Sequence, residues 1–236
     1  MAEVKRPGGA LESRPVHFFW VVDCSASMSG EKIAQVNYAI RDALPGMRTA
    51  AEENPQASLM IRAMKFSDGA SWLTADPIQV ENYEWQDLGT ECLTAMGAAF
   101  ELLSAQLAMP PMPERALPPV IVVLSDGMPT DDYKTSLNKL LSMPWGKKAV
   151  KIAISIGEDA NDTVLEEFTG NRELVLQANN AEQLYKAIRW ASTVAKQVSS
   201  VKSREVVKDD QTGQSNAPQG IDLSGIPEPG DDDGVW

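Results

Sequence analysis

Short apolar runs, each broken off by Asp, Ser or Gly, alternate along this chain with longer stretches in which apolar residues recur every three or four positions. Residues 16–22 are β-branched or aromatic with one histidine and do not alternate, the pattern of a strand buried on both faces. Residues 31–53 place Ile33, Val36, Ile40, Ala43 and Leu44 at helical spacing, with Pro45-Gly46 expected to kink or interrupt the helix. Residues 58–66 predict a second strand, 67–69 a turn, and 70–74 a short strand folding back as a hairpin. Helices are expected over 94–107, 131–141, 162–168 and 181–198, and further strands over 120–124, 150–156 and 173–176. A proline-rich loop spans 110–119. Strands alternating with helices predict an α/β fold: a doubly wound, mostly parallel open sheet with one short antiparallel edge strand and helices on both faces. Ligands of such sheets sit beyond the C-terminal strand ends, where the strand order reverses.

Periodicity stops after residue 198, and the chain divides into a polar segment (1–14), one domain (15–198) and a tail (199–236). The tail sets three basic residues against eight acidic ones, too few apolar groups to bury a core, and is expected to be disordered in isolation. It ends Asp231-Asp232-Asp233-Gly234-Val235-Trp236, and the aromatic after an acidic cluster marks Asp231, Asp232, Asp233 and Trp236 as a candidate docking motif.

Composition narrows the function. At 43% apolar, the 236 residues can build one large core. A net charge of −12 argues against non-specific binding to nucleic acid or to an anionic membrane surface. No stretch approaches the ~20 apolar residues of a membrane span, and the first 14 residues lack the apolar core of a signal peptide, so a cytoplasmic protein is expected. Two cysteines, Cys24 and Cys92, and one histidine, His17, make a Cys/His zinc site untenable. Both thiols are expected to be free. They lie on neighbouring loops, where inert thiols and a redox pair are the alternatives.

The chemistry concentrates at Asp23-Cys24-Ser25-Ala26-Ser27, directly after the first strand. A carboxylate and two hydroxyls at alternating positions are hard oxygen donors, suited to Mg²⁺ or Mn²⁺. Asp or Ser before a helix also serves as an N-cap, so the motif alone does not decide. Two further loops leave the same edge of the proposed sheet. Residues 89–97 contain Thr90 and Thr94, and Ser125-Asp126-Gly127 ends the strand 120–124. Asp131 or Asp132 can cap the next helix, and capping rather than metal ligation is the expected role of this pair.

These residues resemble the metal ion-dependent adhesion site of the von Willebrand factor A domain family, built as DxSxS, a distant Thr and a distant Asp. The resemblance covers residues 16–198. It implies Asp23, Ser25, Ser27, Thr94 and Asp126 as metal residues, with Thr90 as the competitor of Thr94. It also implies a Mg²⁺ or Mn²⁺ ion with an open position that an Asp or Glu of a partner protein fills. The segment 125–132, the start of the helix at Thr94 and the acidic tail are similar to bacterial tellurium-resistance-associated proteins of the TerY type. That similarity implies stress-response or defence work with a protein kinase or a PP2C-type phosphatase. A binding module, not an enzyme, is therefore expected, with possible self-association through the tail. The competing readings are a regulatory subunit of an AAA+ ATPase and a Mg²⁺-dependent hydrolase or phosphatase.

Overall fold

A computed structural model describes residues 13–126, 128–157, 160–200, 223 and 225–227. In chain order the elements are β1 (Arg14–Asp23), α1 (Glu31–Glu52), β2 (Ala57–Phe66), β3 (Ala70–Trp72), β4 (Ile78–Gln79), α2 (Met96–Gln106), β5 (Val120–Ser125), α3 (Tyr133–Ser142), α4 (Pro144–Lys148), β6 (Val150–Ile156), α5 (Asp162–Thr169), β7 (Val175–Ala178) and α6 (Ala181–Ser200).

The strands form one sheet in the order β3-β2-β1-β5-β6-β7. Every pair from β2 through β7 along that order is parallel. β3 is the expected antiparallel edge strand, and the two-residue β4, with no signal in the sequence, also pairs antiparallel with β2. From β1 the chain adds β2 on one side and later returns to place β5 on the other. The strand order therefore reverses between β1 and β5, and the C-terminal ends of those two strands flank the switch point.

β1 lacks alternation because both its faces are covered. Val16, Phe18, Trp20 and Val22 join a core under α1 and α6. Phe19 and Val21 join a second core with Met96, Phe100 and Leu103 of α2, Leu137 and Leu140 of α3, Trp145 of α4 and Phe168 of α5. Two layers of helix thus leave the strand ends, rather than the strand faces, open for chemistry.

Some boundaries depart from expectation. α1 runs through Pro45 without interruption. Its buried face, from Ile33 to Met47, is held against the sheet and α6, and that packing outweighs one missing backbone hydrogen bond. α2 starts at Met96, which leaves Thr94 in the preceding loop. The last strand begins two residues late, after a 3₁₀ turn over Arg172–Leu174. Within the segment read as a tail, Leu223 and Ile226 pack against the α1/α6 core and Gly225 lies beside Trp190. Trp72 and Trp85 both pack: the guanidinium of Arg62 sits 4.1 Å above the Trp72 ring, and the Trp85 indole donates to Asn37 at 3.0 Å.

His17 occupies the interior of β1, 6% exposed, with Nδ1 unpartnered among the described residues and its ring stacked on Phe19. Burial pulls its pKa from 6.5 down to about 4. Below about pH 6.5 the unfolded chain takes up a proton that the folded chain refuses, so this residue costs stability as the pH falls toward 4. The loss reaches about 3 kcal/mol at the acid end. His17→Leu is expected to leave stability at pH 7 unchanged or improved, since an unsatisfied buried nitrogen disappears. It should also flatten the decline between pH 6.5 and 4 in urea-unfolding curves. A variant whose decline parallels the parent's contradicts this.

Candidate metal centre

β1 delivers Asp23 to the switch point fully buried. The Cys24 N–H still pairs with the Phe66 carbonyl at 2.8 Å, which carries the strand geometry one residue past the carboxylate. A 3₁₀ turn over Ala26–Met28 follows, and Gly30, at φ 78°, turns the chain into α1. A side chain at that φ would be strained, so glycine is required there.

Four oxygen-bearing side chains meet in a continuous hydrogen-bonded line. Asp23 Oδ1 accepts from the Ser25 N–H at 2.8 Å, and Asp23 Oδ2 accepts from the Ser125 hydroxyl at 2.5 Å. Ser25 Oγ and Ser27 Oγ are 3.0 Å apart. Ser27 Oγ donates to Asp126 Oδ1 at 2.7 Å, and Lys32 Nζ donates to Asp126 Oδ2 at 2.6 Å. Asp23 and Asp126 thus come from neighbouring strand ends, bridged by the two serines of one loop. Burial is the largest influence on Asp23 and pushes its carboxyl above the usual carboxylate range. Hydrogen bonds from Ser125 and Ser25 pull it back, and repulsion from Asp126 pushes it up again.

The third loop closes the side of the cluster. The Glu91 N–H donates to the Cys24 carbonyl at 2.7 Å, and the Glu91 carboxylate takes the Lys65 ammonium at 2.6 Å and the Ser67 hydroxyl. Thr94 is buried. Its carbonyl accepts from the Thr130 N–H at 2.9 Å, which ties its loop to the segment after Asp126. No hydrogen bond among the described residues links the Thr94 hydroxyl to the serine–aspartate line, and Thr90 is half-buried just before Glu91. Asp132 caps α3 as expected. Asp131 instead caps α2, accepting from the Gly97 and Ala98 N–H groups at 2.9 and 3.0 Å. A Cβ on Gly97 would lie 2.9 Å from Asp131 Oδ2, so the glycine lets the two loops close on each other. Cys24 is buried and Cys92 exposed. Both are free, and burial drives the Cys24 thiol up to about 12, which makes it a poor nucleophile.

The donor set fits a small divalent cation. All the groups are oxygens, and among the described residues no cluster of three or more His, Cys, Asp and Glu side chains offers a softer site. An octahedron with bonds of about 2.1 Å spaces adjacent ligand oxygens about 3 Å apart. The Ser25–Ser27 and Ser27–Asp126 separations, 3.0 and 2.7 Å, approach that spacing already.

No protein-family model matches this chain, and no curated protein matches it in sequence. Solved structures do match in shape. The VWA2 paralog of ArnB from Sulfolobus acidocaldarius aligns with a TM-score of 0.55 at 20% identity, over 75% of this chain and 44% of that one. The fold is the von Willebrand factor A fold. A von Willebrand factor type A protein from Catenulispora acidiphila aligns with a TM-score of 0.55 at 14% identity, over 78% of this chain and 43% of that one. Proximal thread matrix protein 1 of the mussel byssus, in a structure whose metal ion-dependent adhesion site motif is zinc-occupied, aligns with a TM-score of 0.56 at 16% identity, over 79% and 46%. This chain therefore spans less than half the length of each of these proteins. These likenesses establish the fold, and the oxygen donors of this chain gather at its switch point.

Three features of the site escaped sequence reasoning. Ser125 in sequence is only the residue before Asp126, yet its hydroxyl fixes Asp23. Lys32 brings a fixed positive charge to Asp126, and its only signal is a lone cation in the first turn of the helix after the loop. Leu93 and Met128, 51% and 66% exposed, stand on the two loops that flank the oxygens. Gly127 and the proposed docking residues Asp231, Asp232, Asp233 and Trp236 lie outside the described residues.

Proposed function

We propose that this chain is a metal-dependent protein-binding module that captures an Asp or Glu side chain of a partner. The observation that carries this reading is the line Asp23–Ser25–Ser27–Asp126 at the switch point, rimmed by exposed Leu93 and Met128. Asp23, Ser25, Ser27 and Asp126 would hold Mg²⁺ or Mn²⁺, with Thr94 as the donor from the third loop. The ion would supply a Lewis-acidic position for the partner's carboxylate. The chain's own residues do the rest. Ser125 and the Ser25 amide orient Asp23, Ser27 bridges the two strand ends, and the two exposed apolar side chains add desolvated contact around a charged centre.

The reading is of binding, not catalysis, in a cytoplasmic bacterial protein. The likeness of segment 125–132 to TerY-type proteins favours a stress-response or defence setting linked to phosphorylation, with a kinase or PP2C-type phosphatase as the partner class. No helix among the described residues is long and apolar enough to cross a membrane. The test is affinity capture on the immobilised chain in Mg²⁺ and in EDTA, beside Leu93→Ser/Met128→Ser. The expected result is a partner retained in Mg²⁺, released by EDTA and retained at least tenfold less by the double variant. Retention that ignores EDTA overturns the metal bridge.

A further inference from the structure

Lys32 is the one cation placed on the carboxylates of this site among the described residues. It is the second residue of α1, and its ammonium holds Asp126 Oδ2 at 2.6 Å while Ser27 holds Oδ1. Both oxygens of Asp126 are thus committed. The Asp126 side chain is nearly sealed, at 2% exposed, whereas that of Lys32 is 23% exposed and has a route to water. Gly157, at the end of β6, makes room for it: a Cβ there would lie 3.2 Å from the ammonium.

The charge balance gives this contact a consequence. Ionised Asp23 and Asp126 contribute −2 and Lys32 +1. A divalent ion entering with Lys32 in place takes the cluster from −1 to +1. Without the lysine the same ion would take it from −2 to 0. The ion and the ammonium also compete for one carboxylate, and like charges at that range repel. We propose that Lys32 is a resident counter-ion of the metal site. It neutralises Asp126 when the metal is absent and must yield that carboxylate for the metal to bind. It thereby weakens metal affinity and leaves the loaded site with a net positive charge that favours an acidic ligand. This inference rests on the reading of Asp126 as a metal residue.

The experiment is calorimetric titration of the full chain with Mn²⁺, comparing the parent with Lys32→Met and Lys32→Arg, alongside thermal melting in EDTA. Lys32→Met is expected to bind Mn²⁺ at least tenfold more tightly, and Lys32→Arg to stay within about threefold of the parent. In EDTA, Lys32→Met should melt below the parent, because two close carboxylates have lost their counter-ion, and Mn²⁺ should raise its melting temperature more than the parent's. A plain structural ion pair would lower the melting temperature without tightening Mn²⁺. Parent and Lys32→Met binding with equal affinity, or the variant more weakly, overturns the counter-ion role and leaves the metal site standing. Binding by neither chain overturns both. Lys32→Gln repeats the measurement should the methionine variant fail to fold.

Discussion

Asp23→Ala is expected to abolish divalent-metal binding, lowering Mg²⁺ or Mn²⁺ affinity by a factor of 100 or more, and to remove metal-dependent partner capture with it. Asp23 is the buried hinge of the site, with one oxygen on the Ser25 amide and the other on the Ser125 hydroxyl. Its removal deletes a charged donor and frees the loop that positions both serines. The same change takes one acceptor from the Ser125 hydroxyl and one from the Ser25 amide, worth about 1–3 kcal/mol, partly offset by the loss of a carboxylate that burial already disfavours. The metal-free variant should therefore melt a few degrees below the parent and remain folded by circular dichroism. The contrast widens with metal present. An ion at 100 times its dissociation constant stabilises the parent by about 2.7 kcal/mol, and Asp23→Ala should gain none of this. Asp126→Ala should lose binding similarly. Calorimetric titration and paired melting curves decide, and Asp23→Ala retaining parental affinity would remove Asp23 from the site. Protons and metal compete for Asp23, whose carboxyl titrates above the usual range, so parental affinity should fall as the pH drops through that raised value.

The elements that placed this site were legible for a physical reason. β1 and β5 are covered on both faces, so apart from His17 their cores are apolar runs, and the end of each run, at Asp23 and at Ser125-Asp126, marks where the chain leaves the core. The spacing in Asp23-x-Ser25-x-Ser27 carries its own geometry, because alternate residues at a strand exit can face one point. What could not be read depends on pairs far apart in the chain. Lys32 looks like any first-turn lysine until β5 places Asp126 2.6 Å away. Asp131 reads as a cap of its own helix, yet its carboxylate serves α2, and only the close approach at Gly97 shows why. Leu93 and Met128 are unremarkable singly and become a rim only when their loops meet. β4 is two residues long and α4 five, too short for any period to register.

Gly146→Ala is expected to be the most damaging single-methyl change away from the metal site, costing about 3 kcal/mol or more. α4 packs so closely on the end of α3 that a Cβ on Gly146 would lie 1.8 Å from the Leu140 carbonyl oxygen and 2.9 Å from its carbonyl carbon. Backbone atoms cannot step aside as a flexible side chain would, so α4 has to move as a body. Two things move with it. Trp145, 5% exposed, is part of the core that covers the α2 side of the sheet. The Gly146 carbonyl is one of two acceptors, with that of Ala149, for the buried ammonium of Lys151 on β6. Burial already pulls the Lys151 pKa down, so weakening its acceptors adds to the penalty of keeping that charge inside. At about 2–4 °C per kcal/mol for a domain of this size, the melting temperature should fall by roughly 10 °C. Mn²⁺ affinity of the folded fraction should hold within about threefold, because β1 and β5 set the site independently of α4. A variant that melts with the parent would show that the α3–α4 corner yields without cost. One that folds yet loses Mn²⁺ would show that the site depends on the far layer of helices.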